Sequence, residues 1–281
     1  MTTNTVLQQA IPDSMNRTQA ERMDQYTLWQ ILGIWALAAI PMGILSWVVF
    51  PAVSPDFNSD LLGAGVTRIM LLTIGLVWLF ILSMIIVRKE EGNLRWVTIK
   101  RRFRLNTPRD PKTGAPRGRL WLWVIPVIIA SVVWDLAITP PVDKAWVSLF
   151  PFLAEPPGYG IGMIFESQEI LQRLVGAWWF FGLFVVMSVF NVFLGEELLF
   201  RGVLLPKMEG VFGRWSWVAN GVLFAFYHVH QPWGIAANIV SCAILAYPSW
   251  RFRSTWMAII VHSVQNVYFG LLILGLVLGL G

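Results

Sequence analysis

The chain has 281 residues, 56% of them hydrophobic and only 13% charged, and its mean hydropathy is +0.62, whereas a soluble domain carries roughly 25% charged residues. That composition excludes one soluble core and fits a membrane protein, in which each crossing helix needs about 20 apolar residues. The net charge of +5 does not argue for a nucleic-acid partner, because eleven of the 21 Lys and Arg lie between Arg88 and Arg119, where membrane topology accounts for them.

Residues 1–25 are polar and mixed in charge, without the basic, apolar and small-residue stretches of a signal peptide, and read as a polar cytoplasmic tail. Apolar runs follow near 27–50, 68–87, 120–138, 174–205, 215–232, 233–249 and 255–278. They predict an all-α, polytopic transmembrane helical bundle of about seven spans. The run at 174–205 exceeds the thickness of a bilayer and is expected to be tilted, broken or partly outside it. The regions are thus an N-terminal transmembrane part, 26–138, with a basic loop at 88–119; an extracytoplasmic loop, 139–173; and a transmembrane core, 174–281. Many of the sixteen Trp residues, among them Trp29, Trp47, Trp123 and Trp215, stand beside run ends, as in an interfacial aromatic belt. The single cysteine, Cys242, allows no intrachain disulfide.

The basic loop, with Lys100, Arg101, Arg102 and Arg104, belongs in the cytoplasm under the positive-inside rule. An even number of crossings then puts the N-terminus inside, together with Lys207, Arg214, Arg251 and Arg253. The opposite loops agree: residues 51–67 hold no Lys or Arg, and residues 139–173 hold only Lys144 and Arg173 against four acids. The protein is therefore expected to be multi-pass, in the plasma membrane if the source is prokaryotic. The basic loop also suits anionic lipid headgroups, although topology alone explains it.

Ionisable side chains inside spans are costly and default to functional hypotheses. Asp135 stands alone near the outer end of the third span, has no second polar group nearby in sequence, and is left out of the site; His230 receives no role. Glu196, Glu197 and Arg201 fall together in Gly195-Glu196-Glu197-Leu198-Leu199-Phe200-Arg201-Gly202. Four residues apart, Glu197 and Arg201 can pair on one helical face. Glu196 then points about 100° away, free to face a cavity as a general base. A structural salt bridge would explain Glu197 and Arg201 but not Glu196.

His228 closes Phe224-Ala225-Phe226-Tyr227-His228, and His262 and Asn266 share a helical face in His262-Ser263-Val264-Gln265-Asn266. A lone histidine in an apolar run is more often packed than functional, but here three runs each contribute polar groups. Counted from the cytoplasmic ends of their runs, Glu196 and His262 lie about 10 to 12 Å deep and His228 about 20 Å. The site is expected in a water-accessible cavity of the cytoplasmic half.

In this order, Glu196-Glu197-x-x-x-Arg201, Phe224-x-x-x-His228 and His262-x-x-x-Asn266 resemble the motifs of the CPBP family, the CAAX proteases and bacteriocin-processing enzymes also called Abi proteins. The match covers roughly residues 174–270. The resemblance implies a helical bundle that hydrolyses peptide bonds, with Glu196 and His228 activating a water, His262 and Asn266 positioning it or stabilising the oxyanion, and Glu197 and Arg201 in support. It also implies a peptide or protein substrate, membrane-associated or prenylated in the CAAX branch. The family is often labelled metalloprotease, and zinc would take Glu196, His228 and His262. No HExxH is present and Asn266 is a poor zinc ligand, so no metal is assigned. The competing readings are a non-catalytic immunity or scaffold protein, and a transporter using the buried charges, whose usual internal repeats are missing from the sequence.

Overall fold

A computed structural model describes residues 25–160, 162, 165 and 167–280, so the tail expected at 1–25 lies outside the described residues except for Gln25. The described residues are helical apart from connections and one isolated bridge between Arg109 and Pro116. Among the described residues five helices are long and apolar enough to cross a bilayer: α1 Leu28–Val53, α2 Leu61–Glu91, α4 Gly118–Leu149, α6 Trp178–Lys207 and α9 Thr255–Val277. The shorter ones are α3 Trp96–Arg102, α5 Gln168–Leu174, α7 Ser216–Tyr227 and α8 Ile235–Phe252. The protein is an all-α membrane bundle. Of the seven apolar runs, those near 215–232 and 233–249 form α7 and α8, of 12 and 18 residues.

Local chemistry sets the helix ends. Thr27 and Gln30 form a capping box before α1. Asp60 accepts from the Gly63 amide at the start of α2, which ends at Gly92 in the left-handed region, φ 70°. Gly176, with φ 77°, separates the first residues of the long run at 174–205 from α6, whose 30 residues continue unbroken from Trp178 to Lys207. The third span, expected over 120–138, continues as α4 to Leu149, so the first part of the 139–173 loop is helical. Pro140 and Pro141 fall in the first turn of the α-helical segment Thr139–Leu149, which follows a π-helical turn, Trp134–Ile138.

Prolines inside helices strip a carbonyl of its N–H partner, and side chains from neighbouring helices replace it. Pro41 leaves the Leu37 carbonyl, which accepts from Trp78 Nε1 at 2.8 Å. Pro206 leaves the Gly202 carbonyl, which accepts from Arg102 Nη1 at 2.9 Å. In an apolar medium this repair is what makes such prolines tolerable. Several tryptophans act the same way rather than only as a belt: Trp47 Nε1 donates to Val229 O at 2.8 Å and Trp35 Nε1 to Leu223 O at 2.7 Å.

One apolar core runs from Ile31 and Met42 of α1 through Leu76 and Leu79 of α2, Leu199 and Val203 of α6 and Phe224 of α7 to Val261 of α9. The stretch of α6 from Leu198 to Leu205 is wholly buried at its centre. At the basic end a latch closes over it. Tyr26 donates to Glu90, Arg102 Nε pairs with Glu90 at 2.7 Å, and Lys207 Nζ lies 3.3 Å from Glu90. Burial pushes the Tyr26 hydroxyl above the usual phenol range. The basic loop is tied down too, Arg109 N donating to Phe252 O at 2.8 Å and Ser254 Oγ to Asn106 O at 2.6 Å.

Candidate active site

The acidic pair sits where α6 departs from regular geometry. Val189–Gly195 and Leu198–Leu204 are both π-helical, and Glu196 and Glu197 lie between them; such widened turns recur at functional sites. Gly195 is required there, since a Cβ would come within 2.8 Å of the Leu76 carbonyl oxygen of α2. Glu197 is fully buried and Glu196 is 3% exposed.

Glu197 has two partners. Its Oε1 lies 3.4 Å from Arg201 Nη1 and 3.0 Å from His262 Nδ1 of α9. The pairing with Arg201 follows from the spacing of four; the bond to His262 gives Glu197 a second task, orienting an imidazole. Arg201 Nη2 donates to Cys242 O at 3.3 Å, and its guanidinium lies over the Phe224 ring, 4.1 Å from the centroid. Glu196 has no hydrogen-bond partner among the described residues. It lies within electrostatic reach of His262, Glu197, Arg201 and the Tyr227 hydroxyl, itself buried without a hydrogen bond.

Phe224-x-x-x-His228 has a physical reading. The ring of Phe224 carries Arg201, and its carbonyl meets His228 Nδ1 at 2.8 Å as α7 ends. A carbonyl only accepts, so His228 Nδ1 holds the hydrogen, and in the neutral ring Nε2 is left as proton acceptor. The Glu197 carboxylate fixes His262 the same way. The turn after His228 is itself anchored: Arg68, 1% exposed, donates from Nη2 to His230 O at 2.9 Å and from Nη1 to Ser46 Oγ at 3.1 Å.

A cavity of about 520 Å³ is lined by His228, His262, Phe224, Cys242, Gln265 and Asp135, among others. A second, of about 410 Å³, is lined by Asn266, Asn191, Gln231 and again His262 and Gln265. His262 therefore stands on the wall between them. Asn266 faces the second cavity, and His228 the first.

Asp135 is where the structure departs most from the sequence reading. Because α4 continues to Leu149, Asp135 stands mid-helix, about 21 Å from that end, and lines the cavity of the histidines. Its companion is Ser241, whose hydroxyl donates to Oδ1 at 3.3 Å. With 106 positions between them, no local pattern links the two. Arg68 was missed for another reason: it begins the expected second span at 68–87, and only the extension of α2 back to Leu61 puts it inside.

Among the described residues no three His, Cys, Asp or Glu side chains are grouped so as to hold a metal ion.

Residues 177–268, about a third of the chain, match the family model described as type II CAAX prenyl endopeptidase Rce1-like. No curated protein matches the chain, and no solved structure does.

Proposed function

We propose, from the match of residues 177–268 to the Rce1-like family of type II CAAX prenyl endopeptidases, that the chain belongs to that family and that Glu196 and His228 activate a water that hydrolyses a peptide bond within the bilayer. The chain is an integral membrane protein acting on a protein or peptide. We assign it prenylated CAAX-type C-termini as substrates and, applying the positive-inside rule to the basic loop at 88–119, an N-terminal end and a site opening on the cytoplasmic side.

In this mechanism Glu196 takes a proton as the water oxygen bonds to the scissile carbonyl carbon, while His228 Nε2 accepts the water's second hydrogen and orients it. Negative charge collects on the former carbonyl oxygen, where fixed donors are worth several kcal/mol. A peptide laid across the wall formed by His262 has His228 on one side and Asn266 on the other, which suits the Asn266 amide to that oxyanion. The intermediate collapses by breaking the C–N bond, and the proton passes to the leaving nitrogen. The observation that carries the reading is the fixing of both imidazoles through Nδ1, to Phe224 O and to Glu197, which leaves each neutral ring with Nε2 as a base.

The test is cleavage of a prenylated CAAX peptide by the purified protein. Glu196→Gln and His228→Gln are each expected to lower kcat by about 10²- to 10⁴-fold, with the thermal midpoint in detergent little changed. Wild-type activity is expected to survive a strong chelator. Full activity in either variant overturns the roles, and loss to chelator restored by zinc alone overturns the metal-free route.

A further inference from the structure

Asp135 is an unexplained charge. It stands in the middle of α4 at membrane depth, half-buried, where an ionisable group is costly unless something pairs with it. Among the described residues no Lys or Arg forms an ion pair with it, and its hydrogen bond is the 3.3 Å contact from the neutral Ser241 hydroxyl. The titratable groups around it are His262 of α9 and Cys242 of α8, both within electrostatic reach, and His228 of α7 and Tyr268 of α9, which line the same cavity. Asn238 and Gln265, also on the cavity wall, supply amides suited to a peptide backbone.

Hydrolysis of a peptide bond creates the complement of this charge. When the C–N bond breaks, the leaving nitrogen takes the proton removed from water and becomes the α-amine of the C-terminal fragment. With an ordinary pKa of roughly 7.7–8.0, that amine is mostly ammonium at neutral pH. Resting on the proteolytic reading above, we infer that Asp135 and Ser241 form the subsite that receives the α-ammonium of the released C-terminal peptide. The subsite lies on the wall contributed by α4 and α8, beside the histidines. It fixes the polarity of the substrate: the fragment to be released occupies the 520 Å³ cavity, and the N-terminal part of the substrate lies on the far side of His262.

The experiment uses the full chain in detergent, with the free tripeptide Val-Leu-Ser and its N-acetyl form as competing inhibitors of prenylated-peptide cleavage. For wild type, acetylation is expected to weaken inhibition by about tenfold or more, the worth of one hydrogen bond to a charged group. Asp135→Asn is expected to bring the two tripeptides to within about twofold by weakening only the free-amine form. Ser241→Ala, a milder change should the first variant fold poorly, is expected to shrink the preference by about two- to fivefold. The wild-type preference is expected to fade as pH rises through about 8, where the ammonium loses its proton. Equal inhibition by both tripeptides in wild type, or an undiminished preference in Asp135→Asn, overturns the subsite. Failure of wild type to cleave overturns the proteolytic reading, so the two failures are distinct.

Discussion

Glu197 is shared by Arg201 and His262, and sharing decides what its loss should do. With Glu197 and Arg201 both fully buried, neutralising the carboxylate strands a buried guanidinium, and breaking a buried pair typically costs about 3–5 kcal/mol. Glu197→Gln is therefore expected to destabilise the protein by about that amount, and Glu197→Leu combined with Arg201→Met by less, since the double change leaves no unpaired charge. Thermal unfolding of both in one detergent reads the difference; a double variant as unstable as the single one would contradict it. At this scale the sequence was informative where partners are close along the chain. Glu197 and Arg201, or Phe224 and His228, are one turn apart. The bonds from Glu197 to His262 and from Asp135 to Ser241 span 65 and 106 positions, and no periodicity carries such pairs.

The helices are legible as apolar runs, but their internal geometry is not. A period of 3.6 residues assumes one hydrogen-bond pattern, and α6 leaves it twice around the acidic pair, so faces counted at 100° per residue drift. The Gly202–Pro206 region shows what holds such a stretch. Arg102 donates to Gly202 O at 2.9 Å and to Val203 O at 3.4 Å while paired with Glu90, so a residue of the basic loop that reads as a topology signal also stabilises the motif helix. Arg102→Met is expected to cost about 2 to 3 kcal/mol, having removed several hydrogen bonds from a charged donor and left Glu90 with only Tyr26 and Lys207. Pro206→Ala in that background is expected to recover about 1 kcal/mol by restoring an N–H for the stranded carbonyl. A double-variant cycle followed by thermal unfolding checks it, and strict additivity would show that the two do not act on the same carbonyl.

In the whole molecule, class and membrane character follow from composition, because only bundles and barrels bury backbone in lipid and the runs are helix-length. What composition could not provide was where the run near 215–232 stops being helix. The expected offset between His228 and the other site residues came from counting along a regular span starting near Trp215. In the structure α7 begins at Ser216, lasts 12 residues and stops at His228, packed against α8 so closely that a Cβ on Gly221 would lie 2.6 Å from Ala243 N.

That short helix has a consequence for the surrounding lipid. Twelve residues reach about 18 Å, against a hydrocarbon thickness of about 30 Å, and a bilayer meets a short apolar element by thinning beside it. Thinning there would draw headgroups and the water they hold toward both ends of α7, shortening the dehydrated path from the cytoplasmic face to His228. The cleavage rate should then depend on the host bilayer. Reconstituted in phosphatidylcholines of increasing acyl length, from dimyristoyl to dierucoyl, the protein is expected to lose kcat/KM steadily while remaining folded, and a rate indifferent to thickness would mean that the site is hydrated by another route. Membrane composition would in that way act as a rheostat on hydrolysis without contacting a single reacting atom.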